Sequence, residues 1–238
     1  LETVELEGNV QLSRAPFKDE PDLFFTTEYI KGYLDTYRFE TDRKVYMRRG
    51  IDTTEASNGM KYDNILHTVE LDGSVVTVFA PSPLTHPPTQ PKNEEVIVFS
   101  ILAAIAAPTW ALSTDKSQPI EVHADQFNGD EVKQTAVYSG NVVVDQGSMN
   151  LTGARLDLAI TPKGYRRATI TGSPARFKQQ RDPKTKGVEE WVHAHASRIT
   201  YDEETDKVTL EGKAQLSRSE NGQQKDMTSG ERIVYDMR

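Results

Sequence analysis

Apolar and polar residues alternate along most of the chain with a period of two, the pattern of strands that bury one face. Val10 and Leu12, Val69 and Leu71, Val142 and Val144, Leu156 and Leu158, and Val208 and Leu210 each stand two positions apart. β-branched and aromatic residues fill these runs, and Gly, Asn, Asp and Pro punctuate them. No helical stripe occurs outside residues 96–112. The pattern predicts an all-β protein.

An internal repeat sharpens this reading. Ser57-Asn-Gly-Met-Lys-Tyr-Asp63 followed by Thr68-Val-Glu-Leu-Asp-Gly-Ser-Val75 matches Ala196-Ser-Arg-Ile-Thr-Tyr-Asp202 followed by Lys207-Val-Thr-Leu-Glu-Gly-Lys-Ala214. Looser copies begin at Val4, Ala124 and Gly230. Each unit reads as strand, Asp-led turn, strand, with Gly8, Gly73, Gly140, Gly172 and Gly212 where a strand must bend or bulge. Such strand pairs cannot bury a face alone, so they must join a larger sheet. An incompletely closed sheet leaves an apolar groove, and also strand edges that can accept another strand. The expected edges are residues 118–124 and 231–236.

The middle of the chain breaks the alternation. Pro81, Pro83, Pro87, Pro88 and Pro91 mark a linker over residues 81–95. Val96 to Ala107 follows with Ser100 as its one polar residue, too short for a membrane span of about 20 residues. With Thr109-Trp110-Ala111 behind it, the segment 96–111 is like a signal peptide whose cleavage would leave Leu112 first. Its internal position and the preceding Glu94 and Glu95 oppose that reading, and a buried apolar strand or helix would have the same composition.

Charge divides at the same place. Of 28 basic and 36 acidic residues, residues 1–95 hold 10 and 17, a net of -7, leaving 18 and 19, a net of -1, for the remainder. The overall charge of -8 argues against a nucleic-acid partner. With no cysteine, disulfides and thiolate chemistry are excluded. The 238 residues amount to one large or two small domains at roughly 150 residues each.

Candidate chemistry is sparse. Lys163, Arg166, Arg167, Arg176, Lys178, Arg181, Lys184 and Lys186 form a basic stretch that is either a solvated hairpin or an attractor of lipid phosphates or of the acidic first part. Gly187, then His193-x-His195, resembles the opening of a cupin metal motif, but the expected Glu after His195 is missing and His67, His86 and His123 supply no second half. Glu189-Glu190 and Glu203-Glu204 are adjacent pairs, which point to opposite faces of a strand or sit in a turn, so they support no paired-carboxylate mechanism. No nucleophile-elbow, Walker or dinucleotide motif occurs, so no enzyme and no cofactor is expected.

From Gln118-Pro-Ile-Glu-Val-His-Ala-Asp125 through Tyr138-Ser-Gly-Asn-Val-Val-Val-Asp-Gln-Gly147 and Gly172-Ser-Pro-Ala-Arg-Phe-Lys-Gln179 to Ile233-Val-Tyr-Asp236, the chain resembles the LptA family of periplasmic lipopolysaccharide-transport proteins. Residues 1–80, with Gly59-Met-Lys-Tyr-Asp63 and Val69 to Phe79, resemble the C-terminal part of the LptC family. The resemblance implies twisted, open OstA-like β-jellyrolls, a partial one over 1–80 and a nearly complete one over 112–238. Departures from the family patterns are the missing LptC anchor and an LptA-like part that stops a strand or two early. The implied function is to carry lipopolysaccharide between inner and outer membranes. The implied partners are lipopolysaccharide acyl chains, other bridge subunits paired end to end, an inner-membrane LptC-type protein and an outer-membrane translocon. By period-two phase, Ile120, Val122, Phe127, Val142, Val144, Leu151, Leu156, Leu158, Phe177, Ile199, Tyr201, Val208, Leu210 and Leu216 face inward, and the resemblance makes them the lipid-groove lining. A self-associating β scaffold without lipid, or less directly a cupin-like metal protein, are the alternatives.

Overall fold

A computed structural model describes residues 2–16, 21–81, 114–130, 132–182, 187–205 and 207–236. The linker beyond Pro81 and the signal-peptide-like segment 96–111 lie outside the described residues. The first part holds β1 (Thr3–Arg14), β2 (Leu23–Tyr33), β3 (Arg38–Thr41), β4 (Val45–Arg49), β5 (Asp52–Ala56), β6 (Met60–Asp63) and β7 (Thr68–Phe79). A 3-10 turn (Asp115–Ser117) precedes β8 (Ile120–Asp130), β9 (Thr135–Gln146), β10 (Met149–Ile160), β11 (Arg166–Arg181), β12 (Glu190–Asp202), β13 (Lys207–Glu220) and β14 (Gln223–Asp236).

Every strand pairing is antiparallel, and all of these strands belong to one sheet. β3 and β4 follow one another along a single lane beside β2, and β5 and β6 along the next lane beside β7. The described strands therefore form a meander, each lane joined to the one before it by hydrogen bonds.

The pairing register slips near the middle of the lanes. Shifts fall at Glu7/Val10 in β1, Asp72/Val75 in β7, His123/Gln126 in β8, Thr171/Ala175 in β11, His195/Arg198 in β12 and Glu211/Ala214 in β13. The glycines of the sequence repeat stand in this row. At Gly212 the backbone takes φ +79°, and a Cβ there would lie 2.7 Å from the Ser197 Oγ. The repeat places Gly73 over Asn58 in the same way, and Gly140 over Asp125. The aligned residues Asn58 and Ser197 are thus structurally equivalent as well. Bulges of this kind add local twist and bend, which lets the sheet curl over its own apolar face.

That curling is visible in the burial. A single apolar cluster runs through both parts, from Val10, Phe25 and Val45 through Val75, Val122 and Val144 to Leu156, Ile170 and Leu210. Hydroxyls on the inner face satisfy one another: Thr54 Oγ1 and Tyr138 Oη both donate to Thr77 Oγ1, at 3.3 and 3.2 Å. This buried link ties β5, β7 and β9 together across the boundary between the two parts.

The boundary itself corrects one expectation. Residues 118–124 are no free edge, because β8 pairs with β7 on one side, from Thr68–Asp130 to Phe79–Ile120, and with β9 on the other. Unpaired N–H and C=O groups on β8 are satisfied by the chain's own earlier strand, a pairing that lies across a 40-residue connection and leaves no local sequence signal. At the other end, β14 pairs only with β13 among the described residues, as expected for 231–236.

Candidate functional site: an apolar groove under β10–β14

The inner faces of β10 to β14 enclose a cavity of about 110 Å³ that opens along the sheet. Leu151 and Leu156 enter it from β10, Phe177 from β11, Ile199 and Tyr201 from β12, and Val208, Leu210 and Leu216 from β13. These eight of the inward-phased positions come together. The other six, Ile120, Val122, Phe127, Val142, Val144 and Leu158, are buried nearer the boundary with the first part, where they fill the interior rather than line the opening. Phe127 and Tyr138 pack there with ring centroids 4.8 Å apart. Burial pushes the Tyr138 phenol far above its ordinary value, outweighing the opposite pull of its hydrogen bond with Thr77, so it stays a neutral donor.

Alternation alone does not separate lining from filling, since both sets share one phase. Place along the sheet separates them, the lining set lying on β10–β13 and the filling set mainly on β8 and β9. Ala168 and Ala194 stand on the groove's inner face, Ala168 between Leu158 and Tyr201 and Ala194 between Phe177 and Leu216 in the cross-strand register. Met149, Ile170, Val192 and Tyr235 also line the groove and were missed, although Ile170 and Val192 continue the same period-two phase.

One end of the groove is polar. Gln179 and Arg181 line it, and Arg181 Nη1 donates to the buried Glu190 Oε1 at 2.7 Å. Asp115 of the 3-10 turn is buried beneath the β9–β10 hairpin, accepting from the Ser148 backbone N–H at 2.9 Å and the Ser148 hydroxyl at 2.6 Å. Gln179 Nε2 reaches the same carboxylate at 3.4 Å. The turn thus fastens the start of the second part over that end of its own sheet. At the other end, Arg166 and Glu203 form a two-nitrogen, two-oxygen pair. Burial raises the Glu203 carboxyl, but hydrogen bonds and charge from Arg166 outweigh it and hold the group below its ordinary value.

The remaining candidates lie on the opposite face. Val192, Ala194 and Ala196 point inward, so His193 and His195 point outward, and no group of three or more His, Cys, Asp or Glu able to hold a metal occurs among the described residues. Glu189 is exposed while Glu190 is buried, and Glu203 and Glu204 occupy a turn bound to Arg166 and Lys163. Neither pair brings two carboxylates to one point. Among the described residues no helix is long and apolar enough to cross a membrane.

Comparison with known proteins adds what geometry alone does not. Residues 121–238 match the family described as LptA/(LptD N-terminal domain) LPS transport protein, and residues 2–80 match the LptC-related lipopolysaccharide-assembly family. The lipopolysaccharide export system protein LptH of Pseudomonas aeruginosa is 33% identical over 60% of this chain and 78% of its own. The chain belongs to the LptA/LptH family. LptA of Escherichia coli is 29% identical over 59% of this chain and 71% of its own. The solved structure of P. aeruginosa LptH, described as the periplasmic component of a lipopolysaccharide transport device, matches with 34% identity and a TM-score of 0.41, covering 52% of this chain and 80% of that one. The groove of β10–β14 lies wholly within the LptA-matching residues, and β7, which pairs with β8, closes the LptC-related ones.

Proposed function

We propose that this LptA/LptH-family chain transports lipopolysaccharide in the periplasm, holding its acyl chains in the groove of β10–β14. The observation that carries the reading is the apolar inner face, which is continuous from the LptC-related strands to the groove and is open under β10–β14. Acyl chains suit it, since each CH₂ taken from water contributes roughly 0.8 kcal/mol. The polar end of the groove, where Arg181 pairs with Glu190, is the end at which a headgroup would be placed. Nothing in the groove resembles a catalytic constellation, and its residues act by shape and apolarity.

The pairing of β14 supports the second half of the proposal. Among the described residues β14 pairs only with β13, and its other side is where another bridge subunit would add a strand. We assign that role to further subunits of the bridge on the way to an outer-membrane translocon, with an inner-membrane LptC-type partner on the side of the first part. The β7–β8 pairing offers an intramolecular example of such a joint.

A photoreactive residue at position 177 should give adducts with lipopolysaccharide, whereas one at 120, packed against Phe79 in the β7–β8 register, should give few. Absence of adducts at both 177 and 216 would overturn the groove assignment. Delipidated protein that ignores lipopolysaccharide yet associates through β14 would favour the scaffold reading.

A further inference from the structure

Lys184 and Lys186 of the basic stretch 163–186 lie outside the described residues, and its other six cations divide into two kinds. Lys163, Arg166, Arg167 and Arg181 each pair with a carboxylate, at Glu204, Glu203, Asp202 and Glu190 respectively. Arg176 and Lys178, in the middle of β11, form no ion pair among the described residues. They stand two apart on the outward face, opposite His195 and His193 in the β11–β12 register. The rungs continue in both directions. Lys178 and His193 lie between Asn150 of β10 and Ser217 of β13, and Arg176 and His195 lie between Thr152 and Gln215.

These residues enclose an outward cleft of about 330 Å³ on the far side of the sheet from the lipid groove. Every side chain on the two rungs can donate a hydrogen bond, and no carboxylate lines the cleft. The nearest acid across β10 is Asp145, whose Oδ1 accepts from Asn150 Nδ2 at 2.7 Å and is thereby engaged. Lys178 is held over the Trp191 ring, its Nζ 4.3 Å from the centroid, which fixes the ammonium beside His193. Strands about 4.8 Å apart and side chains about 7 Å apart along a strand put the four basic groups at the corners of a small rectangle, a size a tetrahedral oxyanion can bridge.

We propose that this cleft is a binding site for a phosphate-type oxyanion, with Arg176 and Lys178 supplying fixed charge and His193 and His195 supplying further donors. The site shares only Phe177 and Ala194 with the groove lining, and its four basic groups do not depend on the groove carrying lipid. Burial, then the Lys178 charge, lowers the His193 imidazole below its ordinary value in the empty protein, which is the state expected of a cationic cleft awaiting an anion. The groups facing His193 are Lys178, Trp191 and Ser217, with His195 and Arg176 on the adjacent rung; none is acidic.

Titration of the labelled full chain with inorganic phosphate and with sulfate, followed on the His193 and His195 ring resonances, tests the site. Sulfate keeps its charge between pH 6.0 and 7.5, so its pH dependence belongs to the protein. Saturable shifts should appear with both ions, with sulfate binding about three- to ten-fold tighter at pH 6.0. They should vanish in the R176Q/K178Q double variant. In H193Q/H195Q, phosphate binding read on the Arg176 and Lys178 side-chain resonances should persist while the pH dependence of sulfate disappears. Unsaturable shifts, or shifts unchanged in R176Q/K178Q, would overturn the proposal. Sedimentation with phosphatidylglycerol but not phosphatidylcholine vesicles, lost in the double variant, would assign the phosphate to a lipid headgroup. Retention of phosphate titration without vesicle binding would assign it to a soluble phosphate ester. Either result supports the site.

Discussion

The two parts of the sheet follow one repeat but treat its middle differently. In the LptC-related part, two lanes break entirely at the bulge row, into β3 and β4 and into β5 and β6, around Thr41–Lys44 and Ser57–Gly59. In the LptA-matching part every lane passes through as one strand of 11 to 16 residues. The groove of β10–β14 lies under the long lanes, which keep their inner faces in line past the bulge, with Leu151 before it and Leu156 after it both reaching one cavity. A bulge therefore bends the sheet without ending the lane, and lane continuity is what gives an apolar trough its length.

The comparison breaks most sharply at the boundary. Tyr138→Ala removes a buried ring and the hydroxyl that reaches Thr77, and should lower unfolding stability by about 3–5 kcal/mol, read from denaturant midpoints. Tyr138→Phe keeps the ring and should cost only about 1 kcal/mol. If the two parts are one cooperative body, amide exchange should quicken in β7 as well as β9 of the alanine variant; quickening confined to β9 would show them to be independent. Next in size, Gly212→Ala meets both the Ser197 side chain and a left-handed backbone, for about 1–3 kcal/mol. Gly8→Ala, with the same backbone sign and nothing within 4 Å, should cost only about 1–2 kcal/mol. Equal losses at the two glycines would mean that contact across the bulge contributes nothing.

The smallest effect concerns acid. The Glu203 carboxyl is held below its ordinary value, so the folded state binds that proton less readily than the unfolded chain does. Its stabilisation is complete above roughly pH 4.3 and is lost as pH falls through the lower folded value. Glu203→Gln should cost less than about 1 kcal/mol at pH 7, and the gap between variant and parent in urea midpoint should narrow as pH falls below the ordinary carboxylate range. A gap that stays constant would exclude the Arg166 pair as its cause.

Much of this was legible in the chain. The period-two phase found inward positions from Ile120 to Leu216, and the repeat located the bulge glycines, because both follow from backbone geometry that each residue meets locally. Which inward positions line a cavity depended on what stands opposite, and Ala168 and Ala194 act only through neighbours brought to them by cross-strand register. The pairing of β8 with β7 was hidden for the same reason. Likewise the eight basic residues read as one stretch, and only the register of β11 against β12 separated the paired cations from the pair facing His193 and His195.

The β7–β8 ladder also decides how the two parts respond to dilution. While residues 79 and 120 belong to one unbroken polypeptide, closing that ladder is a first-order event, and its equilibrium is indifferent to protein concentration. A cut after Ala111 would leave every hydrogen bond in place yet turn the same joint into a second-order one, which comes apart as the solution is thinned.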